Sequence, residues 1–214
     1  MMERSPFDRG KSLILKENNK RLRFLIEDEI QPLLDACPMY LRSIVECAIM
    51  TGMRRGEILS LKWDQVRNGF IYLEKTKTNE ARQIPISDDL ELIFKGIRKD
   101  QHLTSKHVFT YMGEQVQEIK RSFKTALKRA GIQNFRFHDL RHTFASQVLL
   151  KGGSLKDIQE LLGHKTMTMT LRYSHLTQEH KRKAVNLLNG LTASGNGTCH
   201  KTVTFADVTK TATV

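Results

Sequence analysis

Cysteine is scarce in this 214-residue chain: there are three, Cys37, Cys47 and Cys199, and no two form a CxxC pair. An odd, scattered set argues against a disulfide framework and for a reducing, intracellular setting. Long apolar runs are missing too. No stretch approaches the roughly 18 residues that a bilayer span needs, so no membrane partner is expected. The first twenty residues are polar and charged, without the apolar centre of a secretory signal, which makes a cytoplasmic location the expectation. There is no HExxH, no dense carboxylate cluster, no Cys/His zinc spacing and no GxxxxGK[ST] phosphate loop. The sequence is thus consistent with chemistry that needs neither a metal nor any other cofactor.

Positive charge and apolar material are what the chain does have. Lys and Arg number 35 against 23 Asp and Glu, a net charge of +12 with a sequence pI near 9.8. Such an excess suits a polyanion, most often DNA or RNA. Hydrophobic residues make up 39%, enough for a core of ordinary domain size. No segment joins a long apolar stripe to a basic face in the way of an interfacial helix.

Periodicity predicts a mainly α chain with a small antiparallel β-sheet inserted, an α+β class. Helices are expected over 27–36, 39–51 (apolar at Leu41, Ile44, Val45, Ala48 and Ile49) and 54–61. Two strands follow, 70–73 and 82–86, around the polar turn 76–81. Ser87 is placed to cap a helix over 88–98, and 108–110 reads as a short strand. Helices are then expected over 114–130, 138–151, 154–162, 167–174 and 177–189, with Ser154 and Asp157 as a capping box and Gly52, Gly131, Gly163 and Gly190 as stops. Composition sets the domain bounds: a linker over 1–22, a body over 23–190, and a Thr-rich tail over 191–214, mobile or docking on a neighbour.

Five stretches carry residues suited to phosphate chemistry: Thr51 to Glu57, Lys75 to Thr78, His138 to Thr143, Leu162 to His164, and Arg172 to His175. His138 and Arg141, three apart on a helix, place an imidazole beside a permanent cation, a combination suited to an anion. Arg54 lies near a helix start, where unpaired N–H groups favour anions, and Glu57 one turn on is placed to hold it. His138 and His142, four apart, have metal-chelating spacing but no third ligand. Singly, each stretch has an ordinary reading: Arg54 and Glu57 as a surface pair, Lys77 as a solvated turn residue, Tyr173 as a packing residue, His164 as a helix-end histidine.

Order and spacing together are more specific than the members. The series Arg54, Lys77, His138-Asp139-Leu140-Arg141, His164, Tyr173, set in TGMRRGEILSL, HDLRHTFAS and LLGH, resembles the catalytic domain of the tyrosine recombinases, or phage integrase family, over roughly residues 20–190. The resemblance implies that family's catalytic-domain fold and its type IB transesterification. Tyr173 is then the nucleophile that forms a 3′-phosphotyrosine, and Arg54 and Arg141 clamp the non-bridging oxygens. Lys77 protonates the leaving 5′-oxygen, His138 accepts or relays the phenolic proton, His164 donates to a phosphate oxygen, and Glu57 orients Arg54. Double-stranded DNA is the implied partner, with a homotetramer on DNA, a monomer when free, and association with the nucleoid. Accessory proteins are not specified. Lys120, Arg121, Lys124 and Lys128 are candidates for tracking phosphates. Relatives usually carry a separate N-terminal DNA-binding domain of about a hundred residues. Only some twenty residues precede the catalytic region here, so that half of the DNA clamp is expected to be absent. Two alternatives stay open from sequence: a DNA-binding module without turnover, and a type IB topoisomerase-like relaxing activity.

Overall fold

A computed structural model describes residues 22–74, 81–100, 105–177, 182 and 185–189. The chain divides into two compact units, 1–178 and 179–214. The first is built in the order α1 (Glu27–Ala36), α2 (Met39–Thr51), α3 (Arg55–Leu59), a 3-10 turn (Trp63–Gln65), β1 (Val66–Arg67), β2 (Phe70–Leu73), β3 (Arg82–Pro85) and α4 (Asp88–Asp100). It continues through β4 (Thr110–Tyr111), β5 (Glu114–Gln115), α5 (Lys120–Arg129), α6 (Asp139–Leu150), α7 (Leu155–Leu162), α8 (Met167–Thr170) and a 3-10 segment, Leu171–Thr177. In the second unit, described positions 182, 185 and 186 are helical; the rest of the helix expected over 177–189, and the tail, lie outside the described residues.

Local chemistry sets the helix ends. α2 stops where Gly52 takes a left-handed φ of 62° and its N–H caps the carbonyl of Ala48. In α7 the Ser154 hydroxyl accepts from Asp157 N, the Asp157 carboxylate accepts from Ser154 N, and Gly163 ends the helix at φ 62°. α6 opens with the Asp139 carboxylate accepting from the backbone N–H of Arg136 at 2.8 Å.

Two departures from expectation share one cause. β1 pairs antiparallel with β2 through the turn Asn68-Gly69, at φ 51° and 74°. β4 pairs with β5 through Met112-Gly113, at φ 53° and 83°. Both are two-residue turns with positive φ at each centre, the geometry that matches strand twist. Glu114 and Gln115, expected in a helix, are therefore a strand, and α5 begins at Lys120. The expected strand over 108–110 lies at 110–111. The expected helix over 167–174 is α8 followed by a 3-10 segment, and the threonines at 166, 168 and 170 explain why the α-form is brief.

Among the described residues, buried apolar side chains form two clusters. The larger runs from Leu25 through α1–α5 to Leu140; the smaller joins Phe144, Ala145, Leu149, Ile158 and Leu162 to Tyr173. α2 packs on α6, and the N-terminal segment is pinned to α6 as Leu25 N donates to Thr143 Oγ1 at 3.0 Å and Gln147 Nε2 donates to Leu25 O at 3.1 Å. Gly52 is tightly enclosed: a Cβ there would lie 2.5 Å from both Leu162 Cδ2 and Phe144 Cδ1. Gly52→Ala is expected to lower the unfolding free energy by roughly 1–3 kcal/mol through overpacking and left-handed strain, read as a lower urea midpoint at unchanged m-value.

Candidate active site

Where α2, α6 and α7 meet, the Arg141 guanidinium is buried between two helix ends. Its Nη1 donates to Gly52 O at 2.7 Å and its Nη2 donates to Leu162 O. Those carbonyls close α2 and α7, where unpaired C=O groups carry partial negative charge. Arg141 is only 4% exposed, and both of these partners are carbonyls rather than carboxylates. Burial, then the charges of Arg54 and Arg82, push it down to about 9, so it stays cationic at neutral pH.

Arg54 stands at the N-cap of α3. Its backbone N–H and its Nη1 donate to Glu57 at 2.8 and 3.0 Å. Glu57 is buried and also receives Arg82 from β3 in two-pronged form, Nη2 to Oε2 at 2.6 Å and Nη1 to Oε1 at 3.2 Å. Burial works against the charged carboxyl, but the Arg82 hydrogen bond and charge, with the contacts from Arg54, outweigh it and hold Glu57 below its usual range. Three guanidiniums face one carboxylate here, and the surplus positive charge is what a phosphate would neutralise.

Tyr173 lies in the smaller cluster, 1% exposed, with its hydroxyl 2.6 Å from Nδ1 of His142. Burial raises the phenol to about 12, against the opposing pull of Arg172 and Arg141. Burial, reinforced by His138, lowers His142 to about 4. The phenol is thus protonated and the imidazole neutral at pH 7. As the stronger acid of the two, the phenol donates to Nδ1, which leaves the imidazole proton on Nε2. His138, exposed at the N-cap of α6, stands edge-on to His142 with ring centroids 5.3 Å apart. Partial desolvation, then the cations Arg141, Arg54 and Arg172 against the pull of Asp139, lower it as well. His164 follows the Gly163 stop of α7, half-buried, with Nδ1 2.9 Å from Thr170 Oγ1, and burial and then Arg141 lower it to about 4.

Arg54, Glu57, His138, Arg141, His164 and Tyr173 therefore share one electrostatic neighbourhood, although they span 54 to 173 in the chain. Lys77 lies outside the described residues. Lys120, Arg121, Lys124 and Lys128 all lie on α5, and Lys120 and Lys124 line a cleft shared with Arg55, Arg136 and His138. His138 and Arg141, expected on one face, differ in depth: the first is at the surface and the second is buried. Sequence reasoning missed two participants. It gives His142 only a metal-chelating spacing, whereas that residue is the phenol's partner; its distance of one helical turn from His138 is the available signal. It gives Arg82 only the start of a strand, and nothing local marks it as the partner of Glu57.

The histidines set a pH dependence. An unfolded histidine titrates near 6.5, while folded His142 resists protonation down to about 4. Above about pH 6.5 both states are neutral and this contribution is fully present. Between about 6.5 and 4 the unfolded chain takes up a proton that the fold refuses, and stability falls by ~1.4 kcal/mol per pH unit for each such group. Urea unfolding followed from pH 7 to pH 4 should show this decline, and His142→Gln should flatten the slope by about one proton.

The profile of the phage integrase family matches residues 23–180. The integrase of Salmonella phage P22 is 32% identical, over 84% of this chain and 49% of that protein. Among solved structures, the catalytic domain of bacteriophage HP1 integrase superposes with a TM-score of 0.64 at 32% identity, covering 82% of this chain and all of that domain. A lambda integrase tetramer bound to a Holliday junction superposes with a TM-score of 0.61 at 28% identity, over 70% of this chain and 47% of that one. The fold is that of tyrosine recombinase catalytic domains. The chain spans about half the length of the curated relatives it matches.

Proposed function

The chain belongs to the phage integrase family, and on that premise we propose that it cuts and rejoins double-stranded DNA by tyrosine transesterification, as the catalytic part of a site-specific recombinase or integrase. One observation carries the reading: the Tyr173 phenol hydrogen-bonds His142, the residue next to Arg141 on α6, and Arg141 is a buried cation whose described partners are two carbonyls. Two guanidinium N–H groups are committed to those carbonyls, and the other three remain for phosphate oxygens.

In the proposed reaction the scissile phosphate sits against Arg54 and Arg141, whose planar forks stabilise the charge on its non-bridging oxygens in the transition state. His164 donates a further hydrogen bond. The Tyr173 oxygen attacks phosphorus as its proton passes to His142 Nδ1, and His138 connects that imidazole to the surface. The phosphorus–5′-oxygen bond breaks, Lys77 supplies the proton to the leaving hydroxyl, and a 3′-phosphotyrosine remains. The phosphodiester energy is kept in that covalent bond, so no nucleotide is consumed. Since Tyr173 is almost fully covered, the 3-10 segment that carries it has to rearrange for a phosphorus to reach the phenol. DNA-bound dimers and tetramers among the structural neighbours support assembly of several copies on DNA. The free chain is proposed to be monomeric, with residues 191–214 as the segment that docks on a neighbour.

A nicked suicide duplex provides the test. The wild-type chain is expected to form a denaturant-resistant protein–DNA adduct, and Tyr173→Phe to abolish it with DNA affinity unchanged. An adduct that survives Tyr173→Phe would assign the nucleophile elsewhere; no adduct from wild type on recombination-site DNA would favour binding without turnover. The basic face of α5 is proposed to follow the DNA backbone. Its triple replacement, Lys120, Lys124 and Lys128 to Gln, should weaken binding and shrink the log–log salt slope by about 0.9 for each phosphate no longer neutralised. Unchanged affinity and slope would remove α5 from the interface.

A further inference from the structure

Arg82 has no part in the chemistry just described, yet it occupies a junction between its components. It opens β3, the strand that follows Lys77 in the chain. Its guanidinium closes on both oxygens of Glu57, and each of the two side chains is only 7% exposed. Glu57 in turn holds the backbone and the guanidinium of Arg54. The stem of Arg82 lies under the helix stop before His164: a Cβ on Gly163 would sit 3.0 Å from Arg82 Cδ. One side chain thus touches, directly or through Glu57, the segments that bear Arg54 and His164.

Stability alone does not account for it. A buried ion pair is often matched or bettered by well-packed apolar residues, because desolvation offsets the attraction. Here the mismatch is larger, since Arg82 Nε is buried without a hydrogen-bond partner among the described residues. What the pair does supply is geometry: a planar fork on a carboxylate fixes both partners in angle and depth. A third guanidinium close to Arg54 and Arg141 also raises the repulsion within the pocket, a cost that a phosphate relieves.

We propose that Arg82 is a positioning residue for DNA cleavage, acting through Glu57 to fix the Arg54 guanidinium and through Gly163 to set the height of His164. The proposal rests on the transesterification reading above. A misplacement of about 1 Å costs on the order of 10²-fold in rate, so the loss should appear in the chemical step rather than in binding.

Single-turnover cleavage of the nicked duplex at saturating DNA is the test, run beside DNA affinity and thermal midpoint for each variant. Arg82→Met should cleave about 10²-fold more slowly while binding DNA within about twofold of wild type. Glu57→Gln should give a similar loss, and the double variant should be no slower than the worse single, because both act on one contact. An open cleft of about 660 Å³ lined by Arg82, Gln83, Lys156 and His164 leaves room for chemical rescue. Millimolar methylguanidinium should therefore restore Arg82→Ala at least tenfold and leave Tyr173→Phe inactive. The proposal is overturned if Arg82→Met cleaves at the wild-type rate while folded. It is equally overturned if the Arg82 and Glu57 losses multiply, or if the slow rate tracks only the unfolded fraction and returns on cooling. Failure of the underlying reading would look different, as wild-type chain that forms no adduct at all.

Discussion

A cation buried between the ends of two helices organises this molecule. Arg141 projects from α6 into the gap where α2 stops at Gly52 and α7 stops at Leu162, and it donates to one carbonyl from each. Helix C-termini are sites of partial negative charge, so a buried guanidinium there needs no carboxylate to be tolerated. The arrangement works only if both helices end where they do. Gly52 supplies the left-handed turn and also the missing Cβ, since any side chain would strike Leu162 and Phe144. Gly163 ends α7 by the same left-handed turn. The two stops therefore seat the Arg141 guanidinium as well as terminating helices.

The charge around Arg141 is weighted toward cations. Arg54, Arg82 and Arg141 stand near Glu57, and three histidines nearby are pushed toward their neutral forms by desolvation and by cations, Arg141 and Arg172 among them. Neutral imidazoles accept or donate hydrogen bonds without adding to the repulsion. The phenol of Tyr173 is handled in the opposite sense: burial keeps it protonated, and His142 gives it one acceptor in an otherwise apolar cluster. In the proposed reaction a phosphate would bring the negative charge that the cations lack, and the charge developing on it in the transition state would be met by donors already in place.

Much of the scaffold is legible in the chain. The bounds of α1 and α2 follow from apolar spacing and the Gly52 stop, and α7 from its capping box and Gly163. The short hairpins are not legible by the same means. β1 and β4–β5 are strands of two residues whose apolar alternation is too brief to register; their only marks are Asn68-Gly69 and Met112-Gly113, turn pairs with positive φ. A helix reaching back to Glu114 is suggested by an apolar series, Val116 to Phe123, that continues across the true helix start because both the loop and the helix bury it against the same core.

Sequence by itself determined the residue types and their order: an arginine after a glycine helix stop, a His-x-x-Arg pair, a histidine after another stop, and a tyrosine nine residues on. Those features can be read along the chain because each is local, a cap or a turn with its neighbour. Which side chain touches which was decided only by tertiary structure. His142 meets the phenol because α6 and the 3-10 segment pack around one apolar cluster, and Arg82 meets Glu57 because β3 packs against α7 beside the start of α3, contacts between positions 31 and 25 residues apart. No periodicity encodes such distances; they arise when burial of separate apolar faces forces polar groups at their margins to pair.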